Sequence, residues 1–436
     1  MSNSYKSQEE ILKKLDIPRL NNMQVEAIAT IRKNPEVLLL SPTGTGKTLA
    51  FLLPILKNLQ QDLNEVQALI LVPSRELAIQ IEQVMRNMGS GFKVNAVYGG
   101  RSGSKDRVEL NHKPAVLVGT PGRVSDHLKR GVISPRFIQT LVLDEFDKSL
   151  EVGFEIEMRK IVRLLTNVDK KVLTSATRGV KIPDFVGLSD PIVINYLQEK
   201  RSSLALKKVI SPSKDKLETL VQLLGHIGEK NGIVFCNFKD SIQRVSDFLS
   251  ENGVSHGVFY GGIEQVDRER ALIQFRNGTH RLLLATDLAA RGIDVPELDF
   301  IIHYHLPLKA DEFTHRNGRT ARMNTEGLAY VIKAKTEELP YFIGAIDEEE
   351  LQDKKLPQAT QWKTLFITGG RRDKISKGDI AGLFMKQGGL EKNQLGMIEL
   401  KTDSAFVAVQ NNQVKALLPK VNNARLKTKK VRITVL

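Results

Sequence analysis

The sequence predicts an α/β protein of two tandem doubly wound parallel-sheet domains followed by a small α+β domain. Three observations carry this expectation. From residue 36 to about 345, short apolar runs alternate with amphipathic stretches, the rhythm of strands and crossover helices in a parallel sheet. The rhythm repeats: Val97-Tyr-Gly-Gly100 returns as Phe259-Tyr-Gly-Gly262, and Val116-Leu-Val-Gly-Thr120 returns as Leu282-Leu-Leu-Ala-Thr286. The separations are 162 and 166 residues, so the two halves read as a duplicated domain. A third stretch, from about residue 359, has a different composition. The expected domains are 1–199, 205–346 and 359–436, and 436 residues leave ample core for each.

In chain order, residues to about 35 read as helical, with Gln24 just before the periodic run Val25-Glu-Ala-Ile-Ala-Thr-Ile31. Val37–Leu40 is an apolar run bounded by turn residues and reads as a buried parallel strand. Further strands are expected at 68–72, 94–97, 115–118, 140–143 and 171–174. Polar residues 198–203 read as one linker, and the acidic stretch Asp347–Asp353 as a second.

The charge is +14 in all, which favours a polyanionic partner. Residues 361–436 hold 15 Lys/Arg against 5 Asp/Glu, so most of the excess lies in the last domain. The single cysteine, Cys236, sits in an apolar run and excludes an intrachain disulfide framework or a Cys-based zinc site. With no apolar run of membrane-spanning length, the expectation is a cytoplasmic, monomeric protein that does not engage a membrane.

The stretch Ser41-Pro-Thr-Gly-Thr-Gly-Lys-Thr48 follows the first strand and opens a helix. Glycines let backbone N–H groups close round phosphate oxygens, and the helix N-terminus adds a favourable field. Lys47 would reach the β/γ-phosphates and the Thr48 hydroxyl would hold Mg²⁺, with Thr43, Gly44, Thr45 and Gly46 forming the cradle. Ser41 stands where the usual pattern has its first glycine. Strand 140–143 ends in Asp144-Glu-Phe-Asp147. An acid at the carboxyl end of a parallel strand shares an edge with the phosphate loop, so Asp144 can hold Mg²⁺ through water and Glu145 can activate the attacking water. His315-Arg-Asn-Gly-Arg-Thr-Ala-Arg322 places cations every three or four residues. Composition leaves open a solvated basic helix or arginine fingers aimed at a γ-phosphate.

With these motifs stand Pro73-Ser-Arg-Glu-Leu-Ala78, Gly99-Gly100, Thr120-Pro-Gly-Arg123, Ser175-Ala-Thr177, Gln265-Val-Asp-Arg268 and Ala285–Asp294. Together, over residues 20 to 335, they resemble the DEAD-box RNA helicases. The resemblance implies two RecA-like domains, ATP and Mg²⁺ as cofactors, and RNA as partner. It implies that Gln24 reads adenine and Asp294 the ribose. Ser175 and Thr177 would couple nucleotide to RNA, with Asp147, His315 and Arg316 in one interdomain network. Arg319 and Arg322 would be the fingers. The single-strand path would be lined by Pro73, Arg75, Gly99, Gly100, Thr120 and Arg123 from the first half, and by Gln265, Arg268, Thr286 and Arg291 from the second. Such groups grip phosphate and 2′-OH without reading bases. The chain departs from the family pattern at Leu20-Asn-Asn-Met23 before Gln24, at Phe146 in place of alanine, and at Ala321 in place of glycine.

From Lys363 the chain resembles the DbpA-type RNA-binding domain, an RRM relative. Alternation in Ser404–Val409 places Ala405, Val407 and Val409 on one face and Phe406 on the other, leaving Phe406 as the stacking residue. Arg371, Arg372, Lys374, Lys427, Lys429 and Lys430 are the candidate basic contacts. The implied function is ATP-dependent local unwinding of RNA duplexes, with structured ribosomal RNA in large-subunit assembly as the leading substrate. The alternatives are a cold-stress RNA remodeller of general specificity and a non-hydrolysing ATP-dependent RNA clamp.

Overall fold

Two seven-stranded parallel sheets and one four-stranded antiparallel sheet make up the framework. The computed structural model describes residues 6–100, 103–177, 181–197, 204–287, 295, 298–320 and 327–436. One compact unit runs to residue 201, and a second holds most of the remaining chain.

The first sheet holds β1 (Glu36–Leu40), β2 (Ala68–Leu71), β3 (Val94–Val97), β4 (Val116–Gly119), β5 (Thr140–Leu143), β6 (Lys170–Ser175) and β7 (Ile192–Asn195). Their order is β3-β4-β2-β5-β6-β1-β7. Strands β2, β3, β4 and β5 are buried throughout, because helices cover both faces of a doubly wound sheet. One apolar cluster, with Ile28, Phe51 and Ile81, packs against one face, and another, with Val124, Phe146 and Ile161, against the other.

The second sheet holds β8 (Leu204–Ser211), β9 (Gly232–Phe235), β10 (His256–Phe259), β11 (Leu282–Ala285), β12 (Phe300–His303), β13 (Gly327–Ala334) and β14 (Asp347–Glu348). Its order, β10-β11-β9-β12-β13-β8-β14, repeats the first sheet strand for strand. The two sequence echoes fall at equivalent places: the Tyr-Gly-Gly segments follow β3 and β10, and the Thr residues follow β4 and β11. The first two residues of the acidic stretch expected to be a linker instead form the seventh strand of this sheet. Asp347 and Glu348 pair with Lys207 and Lys208 of β8. Their hold is electrostatic: Glu349 meets Lys207 at 2.5 Å and His226 at 3.2 Å, and Glu348 meets Lys208 at 3.7 Å.

The third sheet holds β15 (Trp362–Ile367), β16 (Leu395–Leu400), β17 (Ala405–Gln410) and β20 (Ile433–Val435), in the order β16-β17-β15-β20. A small hairpin of β18 (Arg425–Leu426) and β19 (Lys429–Lys430) precedes the last strand. Leu365, Ile367, Val407 and Val409 face the module's own core with Phe384 and Leu417. The opposite face carries Thr364, which is fully buried because it meets the end of helix Gln265–Arg276 from the second sheet. Asn277 Nδ2 donates to Thr364 Oγ1 at 3.2 Å, and the Thr279 and Thr364 hydroxyls share a 2.7 Å bond. Arg276 grips Glu399 with two bonds of 2.6 and 2.8 Å. Trp362 lies across Gly278 and Gly396, where an added Cβ would come within 3.4 and 3.0 Å of its ring.

Two predictions follow from this packing. Trp362 is the chain's only tryptophan, so its emission reports this junction. Arg276→Glu sets two acids together where a bidentate pair stood and costs on the order of 2 kcal/mol. Trp362 emission should shift to the red, and adding Glu399→Arg should reverse the shift; unchanged emission in the single variant would show that the pair does not hold the junction. Phe146 is 2% exposed in the first unit's core, and Phe146→Ala should cost about 3–5 kcal/mol. A lower Tm with nearly unchanged ATP turnover is expected, whereas lost turnover at an unchanged Tm would place Phe146 in the chemistry.

Candidate functional site

Parallel pairing brings the carboxyl ends of the first sheet's strands to one edge, and the sheet order arranges their loops in a row. From one side come Gly99-Gly100 after β3, Thr120 after β4 and Arg75 after β2. Asp144-Glu145 after β5 and Ser175-Ala-Thr177 at the end of β6 follow, and the phosphate loop after β1 completes the row.

The phosphate loop starts with Ser41 N–H donating to Ser175 O at 3.0 Å, which ties β1 to β6. It ends at Gly46, which caps helix Lys47–Asn58 at φ 84°. A Cβ there would come within 2.4 Å of Gln24 Nε2, so only glycine fits on both counts. Gln24 is buried and uses both ends of its amide. Its Nε2 donates to Gly46 O at 3.2 Å and its Oε1 accepts from Asn21 N–H at 3.0 Å. Asn21 Nδ2 donates to Thr45 O at 3.0 Å. Asn21, a residue not singled out in the sequence, thus fastens the loop alongside Gln24; its place three residues before Gln24, as in a capping box, was the available signal. Lys47 Nζ donates to Ser41 O at 2.7 Å and Pro42 O at 2.9 Å. The ammonium therefore lies folded over the loop, where phosphate oxygens would compete for it. Thr43 and Thr48 are half-buried on either side.

Asp144 is 3% exposed. Burial, and then the neighbouring charge of Glu145, push its carboxyl up to about 6, against the opposing pull of the Thr174 hydroxyl and the Lys47 charge. Glu145 caps helix Phe146–Glu151 in left-handed backbone at φ 48°, a conformation that costs a residue with a side chain about 1–2 kcal/mol. Thr174 Oγ1 donates to Asp144 Oδ1 and accepts from Glu145 N–H at 3.1 Å. Three residues on, Thr177 Oγ1 donates to Asp147 Oδ2 at 2.8 Å, and Ser175 Oγ accepts from Thr177 N–H at 3.0 Å. Two hydroxyls on β6 and its extension thus hold two acids that follow β5. The resemblance names Thr177 and Asp147 for one network, and Thr174 is not singled out in the sequence.

Next in the row, Ser74 caps helix Arg75–Met88 after the buried Pro73. The Arg75 guanidinium lies against Gly100, where a Cβ would meet its Nη1 at 2.5 Å. Arg123 Nε donates to Asp106 Oδ2 at 2.7 Å, and His127 Nε2 lies 3.1 Å from the same oxygen. Thr120 N–H donates to Val97 O at 3.1 Å, which joins the loops after β3 and β4.

In the second sheet, Gln265 opens helix Gln265–Arg276, Arg268 stacks on Phe259 with 4.8 Å to the ring centroid, and Thr286 follows β11. Helix Ala310–Asn317 ends with His315 and Arg316, and Arg319 lies just beyond it, 6% exposed. Arg316 departs from expectation. It is 1% exposed and donates to Asp287 through Nε at 2.6 Å and Nη2 at 2.5 Å. It also reaches His305 O and Asn237 Oδ1, both at 2.8 Å, and His303 Nδ1 at 3.5 Å. All five of its N–H donors have acceptors within its own unit, so it is a structural tie there. Burial and the Arg316 charge push His303 down to about 3, which keeps it a neutral imidazole. Cys236 is buried beside the same network, its thiol pushed up to about 12 by burial, as an inert residue should be. Arg291, Asp294, Ala321 and Arg322 lie outside the described residues.

The third sheet corrects one further expectation. Alternation gave the right faces, but Phe406 is 5% exposed, with its ring 5.4 Å from that of Phe366. It shares the face that carries Thr364 and Glu399, which the second sheet's helix end covers, so no base can stack on it. The basic candidates instead gather at one end of the module. Arg371 and Arg372 donate backbone N–H groups to Lys401 and Thr402, Lys429 meets Asp373 at 2.9 Å, and Arg372 meets Asp403 at 3.3 Å. Lys427 meets Asp379 at 3.0 Å, while Lys374 and Lys430 are exposed. No helix among the described residues is long and apolar enough to cross a membrane.

Comparison with known proteins agrees with this architecture. Residues 21–185 match the DEAD/DEAH box helicase family, 215–324 the helicase conserved C-terminal domain and 364–435 the DbpA RNA-binding domain. The chain is 32% identical to the ATP-dependent RNA helicase DbpA of Escherichia coli, over 98% of this chain and 96% of that one. It is 29% identical to the DbpA of Bacillus subtilis, over 99% and 98%. Among solved structures, Saccharomyces cerevisiae Dbp5 bound to RNA and ADP BeF3 aligns with 80% of this chain and 93% of that one, at 25% identity and a TM-score of 0.68. With three family domains in order and near full-length similarity to DbpA, the chain belongs to the DEAD-box ATP-dependent RNA helicases of DbpA type.

Proposed function

We propose that this helicase couples hydrolysis of Mg²⁺-bound ATP to local opening of structured ribosomal RNA during large-subunit assembly, acting as a cytoplasmic monomer. The observation that carries the reading is the row of loops at the first sheet's carboxyl edge. It puts the acids between a phosphate loop on one side and small and guanidinium groups fit for a nucleic-acid backbone on the other.

In this reading Lys47 leaves the Ser41 and Pro42 carbonyls for the β/γ-phosphates, and Gln24 stays against Gly46 beside the adenine. Thr48 and Asp144 offer a hydroxyl and a carboxylate, hard oxygen donors of the kind Mg²⁺ takes with several retained waters. The metal's charge would stabilise the transferring phosphoryl group and draw Asp144 to its ionised form. Glu145 holds and deprotonates the attacking water, and Arg319 with Arg322 supply positive charge to the transition state. Thr177, bonded to Asp147 and to Ser175, links that chemistry to the groups proposed for RNA. Those are Pro73, Arg75, Gly99, Gly100, Thr120 and Arg123 on the first unit, with Gln265, Arg268, Thr286 and Arg291 on the second. The basic end of the third sheet supplies the hold on structured RNA. The DbpA-type domain and the clustering of Arg371, Arg372, Lys427 and Lys429 support this assignment.

Lys47→Ala should lower RNA-stimulated ATP turnover by roughly 10²–10³-fold, as for loss of one electrostatic contact to a transition state. Glu145→Gln should slow hydrolysis by roughly 10²–10⁴-fold while sparing ATP binding, so the protein should stay on RNA when ATP is present. Release of RNA from Glu145→Gln as fast as from the parent would remove Glu145 from the role of base. For the basic end, Lys427, Lys429 and Lys430 changed together to Gln should lower the affinity for ribosomal RNA fragments. The salt dependence should become shallower by about 0.7 log units per log salt for each lost phosphate contact. Titrations at two salt concentrations, against an unrelated RNA of equal length, check this. An unchanged preference for ribosomal fragments would move specificity elsewhere.

A further inference from the structure

We propose that Thr174 is a positioning residue for ATP hydrolysis, its hydroxyl fixing at once the carboxylate of Asp144 and the backbone turn that aims Glu145. The inference rests on the roles proposed for those two acids and adds a residue to them. Thr174 is the penultimate residue of β6 and fully buried. A threonine hydroxyl has one proton and two lone pairs, and here the geometry uses both kinds. The proton goes to Asp144 Oδ1, and a lone pair takes the Glu145 N–H.

The second bond has a particular task. Glu145 sits at φ 48°, where a residue with a side chain is held only when its surroundings over-determine it. Its N–H belongs to the first turn of helix Phe146–Glu151, which has no side-chain cap. Thr174 therefore acts as the clip from the neighbouring strand that keeps this turn in place. The first bond leaves Asp144 Oδ2 as the oxygen free of Thr174. Because Thr174 precedes Ser175, which holds Thr177, which in turn holds Asp147, a shift of this strand end would move all three acids together.

The test compares Thr174→Val, which keeps the shape and deletes the hydroxyl, with Thr174→Ser, which keeps the hydroxyl and deletes the methyl. Glu145→Gln is the control in the same RNA-stimulated assay. Thr174→Val should lower kcat about tenfold or more, with the Kd for a non-hydrolysable ATP analogue within about twofold of the parent. Thr174→Ser should return kcat to within about threefold. Amide hydrogen exchange should speed up at Glu145 in the Val variant and not across the whole sheet. Equal losses in Val and Ser, or parent-like kcat in Val while Glu145→Gln is slow, would overturn the proposal. If Glu145→Gln itself turns over at the parent rate, the assignment of the base fails instead. If the Val variant melts before it can be assayed, a Ser variant that melts like the parent yet loses kcat about tenfold or more overturns the proposal equally.

Discussion

The parallel pairing of β5 between β2 and β6 is the constraint on which the rest depends. Its residues register with both neighbours over the whole strand, so its carboxyl end cannot move without theirs. Three loops, after β2, β5 and β6, are thereby held at fixed spacings along one edge, although their sequences lie up to about a hundred residues apart. The only covalent requirement is that every strand run the same way, which right-handed crossover helices impose. Reuse of the same order in the second sheet gives that half an equivalent edge with different residues on it.

Much of this was legible in the sequence because it is local or periodic. A phosphate loop is contiguous, and its strand, glycines, lysine and helix can be read in one stretch. The buried strands are continuous apolar runs, and their alternation with helices fixes the sheet type. What escaped reading depends on contacts distant in sequence. β14 is two acidic residues in a charged run, with no apolar pattern to mark it; only the lysines of β8, some 140 positions earlier, make it a strand. Arg316 looked like its neighbours in a basic helical face, but burial against Asp287 and Asn237 takes every donor it has. Thr174 is one small hydroxyl at the end of a short strand, a feature that periodicity treats as noise. Phe406 was assigned to the right face, and only the junction with Asn277 and Thr279 shows that the face is covered.

The hydroxyl–carboxylate pairs also illustrate how a buried acid cluster is tolerated. Asp144 and Asp147 are almost wholly removed from water, a situation that is unfavourable unless hydrogen bonds replace the lost hydration. Two threonines on one strand and its extension supply one hydrogen bond to each acid without adding charge, while Lys148 Nζ lies 3.9 Å from Asp147 Oδ2.

The covered face of the third sheet has a mechanical consequence. A domain on a loose tether samples a volume, and its partner is presented at an effective concentration set by linker length. Here the path from the second sheet to the basic end runs through Arg276–Glu399, the Thr279–Thr364 hydroxyl pair and the Trp362 ring against two glycines. These contacts turn a tether into a lever arm of fixed length. Whatever the basic end holds is then carried through the same rotation as the second sheet, and its distance from that sheet's edge becomes a molecular ruler.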